Sequence, residues 1–124
     1  MKLPNLFSDE TRLREYQAGD TIFEKGQPGD EMFIVHEGEV DIVIGGTIVE
    51  TVGPEQFFGE LALIDEAPRS ANAVARSRCK LVPLTQREFT FLVDEIPFFA
   101  LRVMKVLADR LRRVDASKFE APIS

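Results

Sequence analysis

The residues best suited to chemistry lie in segment 57–71, which reads FFGELALIDEAPRSA. Gly59 has no side chain, so the backbone there can approach a ligand closely. The residues from Glu60 to Leu63 favour a single helical turn, whose first N–H groups have no partners within the helix and point outward. The segment therefore predicts a pocket for an anion.

Two charged side chains in the same segment refine this prediction. Pro68 stiffens the return of the chain and holds Arg69 against the helical turn, where its planar fork of donors suits the oxygens of a phosphate. The carboxylate of Glu60 would repel a phosphate unless it has another task, such as accepting a hydrogen bond from a neighbouring sugar hydroxyl. Amides, an arginine and a carboxylate together indicate a site for a ribose phosphate.

The elements that position this segment are mainly strands. From residue 12 to residue 82, short β-branched and aromatic runs alternate with Gly, Pro and Asp, which is typical of a many-stranded antiparallel sheet or barrel. Candidate strands cover residues 13–16, 21–24, 32–37, 40–44, 47–52, 71–75 and 79–83. Gly45 and Gly46 predict a two-residue hairpin turn. Without a bulge, this turn places Ile42 opposite Val49, so that both share one face.

Two helices are expected after the strands. Thr85 and Glu88 have the spacing of a capping box, and Pro97 ends the helix that they begin. A second helix is predicted over residues 98–117. Its apolar stripe consists of Met104, Leu107, Leu111 and Val114. A short β-sheet domain cannot cover this whole stripe, so we expect a possible homodimer through the C-terminal helix.

Composition excludes several classes of function. The chain has 15 Lys and Arg against 21 Asp and Glu, a net charge of −6, and no basic run at either end, which argues against nucleic acid and membrane partners. One cysteine, Cys79, and one histidine, His36, cannot form a zinc or iron–sulfur site, and the acidic residues do not form a calcium loop, so we assign no metal. The N-terminus has no long apolar stretch, which predicts a cytoplasmic protein.

The motif closely resembles that of a known family. The run from Phe58 to Leu63, followed by the run from Pro68 to Ala71, resembles the phosphate-binding cassette of cyclic nucleotide-binding domains, and residues 19–23, 26–30 and 32–35 are similar to the family's early strands. The resemblance covers residues 12–117. It implies a mainly β fold, a jelly-roll-like β-roll (double-stranded β-helix) with C-terminal α-helices. Residues 1–124 would form one domain, with the β-roll over 12–83 and the helices over 85–117.

The resemblance also implies a role for each matching residue. Glu60 would hold the ribose 2′-hydroxyl, Arg69 the exocyclic phosphate oxygens, and the amides of Ala62 and Ser70 the rest of the cyclic phosphate. Leu63 would be the coupling residue that reports occupancy to the C-terminal helices. The implied ligand-binding set is Gly59, Glu60, Leu61, Ala62, Arg69, Ser70 and Ala71, with Ile42 and Val49 as apolar walls near the base. Ser70, where family members that prefer cGMP often have threonine, favours cAMP.

We therefore expect a regulatory module that binds cAMP or cGMP, needs no further cofactor, is not an enzyme and shifts its last helix on binding. Bacterial transcription factors of the family continue into a helix-turn-helix, whereas this chain ends at Ser124, so we expect it not to be a complete regulator of that kind. The alternative is the same fold without a nucleotide, in which Glu60 and Arg69 form only a local ion pair and the last helix mediates docking or dimerisation. Ile42 and Val49 fit plain core packing as well as contact with the base, and for Leu63 core packing is favoured, which does not exclude a coupling role.

Overall fold

A computed structural model describes the backbone of residues 12–123 and the side chains of residues 12–113. Within these limits the chain forms eight strands and three helices. The strands are β1 Arg14–Tyr16, β2 Thr21–Phe23, β3 Glu31–Glu37, β4 Val40–Ile44, β5 Thr47–Val52, β6 Phe57–Phe58, β7 Asn72–Ala75 and β8 Cys79–Thr85. The helices are α1 Leu61–Ile64, α2 Gln86–Glu95 and α3 Pro97–Ile123.

The strands form two four-stranded antiparallel sheets, with the orders β1-β8-β3-β6 and β2-β7-β4-β5. The expected mainly β fold with C-terminal helices is confirmed. The sequence pattern located seven of the strands but missed β6, which has only two residues. It also ended β8 at Pro83, whereas the strand continues to Thr85.

The core of the β portion is built from alternate residues of both sheets. In β7 the side chains of Ala73 and Ala75 are buried while their neighbours are partly exposed, which is the two-residue period of a sheet with one face covered. Cys79 lies in the same core, and its burial raises the pKa of the thiol. The cluster consists of Phe33, Val35, Val40, Val52, Phe58, Ala73, Ala75, Cys79 and Leu81.

The predicted hairpin turn joins β4 to β5. Gly45 and Gly46 have φ angles of 58° and 79°, the left-handed values that both central residues of this turn class require. Ile44 pairs with Thr47 on either side of the turn, as expected.

The hairpin register changes one step further out. Val43 pairs with Ile48 as predicted, but Ile42 pairs with Glu50 rather than with Val49 because a bulge interrupts the ladder. The prediction that Ile42 and Val49 face each other is therefore wrong. Ile42 packs against the core cluster, whereas the side chain of Val49 is 54% exposed.

The expected capping box begins α2. The backbone amide of Glu88 donates to Oγ1 of Thr85 at 3.2 Å, and the backbone amide of Thr85 donates to Oε1 of Glu88 at 3.1 Å. This reciprocal pair satisfies two N–H groups that the helix itself leaves without acceptors. Arg12 forms an ion pair with the same carboxylate.

The chain divides into two compact units, one extending to Glu88 and one beginning at Phe89. In the second unit α3 continues to Ile123, beyond the predicted end at residue 117. Its buried side chains include Phe99 and Val103, whereas Met104 and Leu111 of the predicted stripe are exposed. Val114, the last residue of that stripe, lies outside the described side chains. None of the helices within residues 12–123 combines the length and apolar character needed to cross a membrane.

Candidate functional site

The predicted helical turn is present and follows a glycine. Strand β6 ends at Phe58, Gly59 adopts a φ of +80°, and α1 begins directly after Glu60. The left-handed φ favours glycine. A β-carbon on Gly59 would also lie 2.9 Å from Nη1 of Arg69. The glycine is thus required both by the turn and by the close approach of the arginine.

The start of α1 leaves backbone donors unused by the helix. The carbonyl of Glu60 accepts from the amides of Leu63 and Ile64, each at 3.0 Å, so the amides of Leu61 and Ala62 precede the first acceptor of the helix. The carboxylate of Glu60 does not cap α1. This residue is only 4% exposed, which is unusual for a glutamate.

Arg69 is fixed through its backbone. Its amide donates to the carbonyl of Gln27, and its carbonyl accepts from the amide of Gly26, both at 2.8 Å. These two bonds attach the return of the chain to the turn before β3. These backbone hydrogen bonds therefore fix the position from which the Arg69 side chain extends.

The guanidinium of Arg69 lies in a nearly closed environment. Nη1 donates to the carbonyl of Gly59 at 3.1 Å and Nη2 to the carbonyl of Glu31 at 2.8 Å, and the residue is 8% exposed. Its Nε is buried and has no hydrogen-bond partner. A buried donor without a partner is energetically costly. An anion that reached Nε would remove this cost.

The charge of Arg69 also favours an anion at this site. Burial lowers the pKa of Arg69 from its ordinary value, while the negative charges of Asp30, Glu31 and Glu60 act in the opposite direction. An arginine nevertheless stays protonated, so the site holds a poorly solvated cation. Arg69 thus bonds the residue before Glu60 and interacts electrostatically with Glu60 itself, at the start of α1.

The sequence matches one family over most of its length. Residues 13–95 match the family described as "Cyclic nucleotide-binding domain".

The chain belongs to this family.

Relatives and solved structures agree with this assignment. A cyclic AMP receptor protein of Thermus thermophilus is 35% identical over 107 residues, a match covering 82% of this chain and 50% of the relative. The crystal structure of the Thermus thermophilus catabolite activator protein has a TM-score of 0.75 at 34% identity, covering 85% of this chain and 52% of that one. The regulatory domain of Toxoplasma gondii PKA, solved with cAMP, has a TM-score of 0.63 at 30% identity, covering 76% and 38%. The chain spans about half the length of the Thermus receptor.

The remaining predicted site residues of this cyclic nucleotide-binding domain lie in different environments. Ala62 and Ala71 are buried, whereas Leu61 and Ser70 are exposed. Leu61 and Ala62 lie within α1, whereas Arg69, Ser70 and Ala71 follow it. The two proposed base walls, Ile42 and Val49, do not form a facing pair, because of the bulge.

Leu63, the predicted coupling residue, is buried in α1. Its carbonyl accepts a hydrogen bond of 3.2 Å from Nε2 of Gln86, the first residue of α2. Sequence reasoning did not identify Gln86, because a side chain that bonds a distant carbonyl leaves no motif.

Three further residues surround Arg69 and were also missed. Phe23 places its ring 4.1 Å from the central carbon Cζ of Arg69, Glu31 supplies a carbonyl, and Gly29 leaves space for the guanidinium. Gly29 belongs to segment 26–30, which resembles part of the family's early strands. Neither its relation to Arg69 nor that of Phe23 could be read from spacing.

Proposed function

We propose that this domain binds a 3′,5′-cyclic nucleotide through segment 59–71 and is a regulatory module, not an enzyme. The observation that carries the proposal is the buried Arg69 guanidinium, whose Nε lacks a partner. It lies beside the buried Glu60 and the amides of Leu61 and Ala62, which precede the first acceptor of α1. A cyclic phosphate offers acceptors to Arg69 and to these amides, and the attached ribose offers a hydroxyl to Glu60.

We propose the individual roles that the family resemblance implies. Arg69 binds the exocyclic phosphate oxygens, the amides of Ala62 and Ser70 bind the rest of the phosphate, and Gly59 permits their close approach. Glu60 accepts from the 2′-hydroxyl, with Leu61 and Ala71 completing the contact surface. Ile42 and Val49 are proposed as apolar contacts for the base, Ile42 from the side of the core and Val49 from the exposed edge.

We propose cAMP as the preferred nucleotide. Ser70 lacks the methyl group of the threonine often found at this position in family members that prefer cGMP. The names of the relatives point the same way, since the Thermus receptor is a cyclic AMP receptor protein and the Toxoplasma domain was solved with cAMP.

Occupancy of the cassette is proposed to reach the helices through Leu63. The support is the hydrogen bond from Gln86, the first residue of α2, to the carbonyl of Leu63. A ligand that draws α1 toward its phosphate moves this carbonyl and therefore biases the start of α2.

Isothermal titration calorimetry tests the binding proposal. We expect the wild type to bind cAMP at micromolar Kd or tighter, cGMP more weakly, and the open-chain adenosine 5′-monophosphate at least about tenfold more weakly than cAMP. Arg69→Lys should weaken cAMP binding by about tenfold or more, because an ammonium cannot reproduce the planar fork.

Arg78→Lys is the matched control, because Arg78 is exposed and pairs with Glu15. It should bind cAMP like the wild type. A wild type that binds neither cyclic nucleotide, or an Arg69→Lys variant with unchanged affinity, would contradict the proposal.

A homodimer through α3 is a second proposal, which the nucleotide-independent alternative also requires. Its support is the row of exposed apolar side chains on this helix, formed by Leu101, Met104 and Leu111. We also propose that these 124 residues bind neither nucleic acid nor membrane, because their net charge is −6. A cytoplasmic location is proposed as well.

A further inference from the structure

The guanidinium of Arg69 lies over an aromatic ring. The ring centroid of Phe23 is 4.1 Å from Cζ of Arg69, well inside the range of a cation–π contact. A second arginine near the same aromatic cluster, Arg14, lies 5.7 Å from the ring of Phe33, and its side chain is 45% exposed. Because Arg69 is buried and closer to its ring, its contact is the stronger of the two.

The ring of Phe23 is itself held in place. Its centroid lies 6.2 Å from that of Phe33 and 5.9 Å from that of Phe58, so three rings form one cluster. Phe23 belongs to one sheet, whereas Phe33 and Phe58 belong to the other. The platform under Arg69 is therefore part of the packing between the sheets and cannot turn away without disturbing it.

The contact with the ring leaves the donors of the guanidinium available. A cation–π contact requires only that the cation lie over the ring, and it uses none of the N–H groups as hydrogen-bond donors. Two of these donors go to the carbonyls of Gly59 and Glu31, which fix the rotation of the plane. Nε remains without a partner. The ring and two carbonyls thus hold the cation, while Nε stays available to a ligand.

We infer that Phe23 is a positioning residue for the phosphate-binding arginine. It stacks under Arg69, restricts the guanidinium to one plane before the ligand arrives, and so lowers the cost of ordering this long side chain on binding. Phe23 needs no contact with the nucleotide to do this. The inference rests on the proposed function and adds to it the residue that orients the phosphate contact.

A double-mutant cycle tests the inference by calorimetry with cAMP. We expect Phe23→Leu to weaken binding by about tenfold in the wild-type background, whereas Phe23→Tyr, which keeps a ring, stays within about threefold. In the Arg69→Lys background, where no planar group remains to be stacked, Phe23→Leu should change Kd by less than about threefold. A role in core packing alone would weaken binding equally in both backgrounds.

Nuclear magnetic resonance of the ligand-free protein provides an independent measurement. The Nε–H and Cδ protons of Arg69 should be shifted upfield by the ring of Phe23, and the shift should be lost in Phe23→Leu and kept in Phe23→Tyr. Thermal unfolding checks that each variant is folded, and Phe23→Met replaces Phe23→Leu if the latter is not.

The results distinguish a failure of the inference from a failure of the proposed function. Equal losses in the two backgrounds, or no ring-dependent shift in the wild type, overturn the inference and leave cyclic nucleotide binding intact. A wild type that binds neither cAMP nor cGMP overturns the proposed function and the inference with it, even where the ring-dependent shift is present.

Discussion

Gly29 lies against the side chain of Arg69, and a β-carbon there would be 2.4 Å from Nε and 2.5 Å from Cζ. Its φ is not in the left-handed region, so alanine is compatible with the backbone at this position. We expect Gly29→Ala to fold, to displace the guanidinium from its position, and to weaken cAMP binding by about tenfold or more in calorimetry.

Gly53 offers the matched control. Its φ is also outside the left-handed region, and its β-carbon would meet only Oε1 of Gln56, at 3.8 Å, an ordinary contact. Gly53→Ala should therefore leave cAMP affinity unchanged. Equal affinities for Gly29→Ala and Gly53→Ala would show that the placement of Arg69 does not control binding.

The buried carboxylate of Glu60 leads to a prediction about the sugar. If Glu60 accepts a hydrogen bond from the 2′-hydroxyl, the wild type should bind 2′-deoxy-cAMP about 10- to 100-fold more weakly than cAMP, as expected for a bond to a charged acceptor. Glu60→Gln keeps the size of the side chain and removes its charge, so it should bind cAMP more weakly and discriminate less between the two ligands. Competition of both nucleotides against a fluorescent cAMP analogue measures the ratio, and an unchanged ratio in Glu60→Gln would refute this role.

Part of the site was predictable at this scale because it is local in sequence. Gly59, Glu60 and Arg69 lie in one short segment, and their types and spacing indicated the helical turn and the proposed anion site beside it. The surroundings of Arg69 were not predictable. The carbonyl of Glu31 lies 38 residues away along the chain, and any residue type can supply a carbonyl. The stacking of Phe23 likewise depends on how two sheets pack.

Among the elements, the β4–β5 hairpin shows what local patterns can and cannot predict. Two glycines specified the turn and its first pairs, because few other residues adopt its backbone angles. The bulge at Val49 carries no glycine or proline, so nothing in the sequence marks it. Strand β5 is at the edge of its sheet, where bulges are common, whereas β4 is held between two neighbours.

The period of α3 was predicted, but its buried face was not. Apolar residues occur on more than one side of this helix, including the neighbouring residues Val103 and Met104. Periodicity therefore could not select which side is buried. In the structure Val103 is buried and Met104 exposed.

The capping box of α2 should contribute measurably to stability. Thr85→Ala removes the acceptor for the amide of Glu88, and we expect a loss of about 1 kcal/mol in the free energy of unfolding, measured with urea. Thr90→Ala, at an exposed position within the same helix, is the control and should lose much less. Equal losses for the two variants would contradict a specific capping role.

The carboxyl of Glu88 makes the stability that this capping box contributes depend on pH. Burial acts to raise the pKa of this carboxyl, but hydrogen bonding to Thr85 and the Arg12 guanidinium outweigh it and hold the pKa below its ordinary value of 4.5. A carboxyl with a depressed folded-state pKa stabilises the protein above its unfolded-state pKa and loses this effect as the pH falls through the folded-state value. The stability difference between the wild type and Glu88→Gln should thus be largest near neutral pH and shrink below about pH 4, whereas a constant difference would contradict the linkage.

At the scale of the whole molecule, the proposed homodimer follows from the exposed row on α3. Phe98 is 74% exposed, and Leu101, Met104 and Leu111 are each more than half exposed. Leu101, Met104 and Leu111 are three and seven residues apart, which places these three along one side of the helix, as in the seam of a helix pair, and a second copy of the chain offers a matching row.

Sedimentation over a range of concentrations distinguishes this dimer from an isolated apolar row. We expect the wild type to be dimeric at about 100 micromolar and Met104→Glu to be monomeric, because the interface would bury an unpaired carboxylate. Arg102→Glu places the same side chain on the polar side of α3 and should remain dimeric. If Met104→Glu is monomeric and still binds cAMP like the wild type, association and nucleotide binding are separable properties of the chain. If the wild type is monomeric throughout, the second-copy proposal is wrong, and the exposed row needs a different occupant.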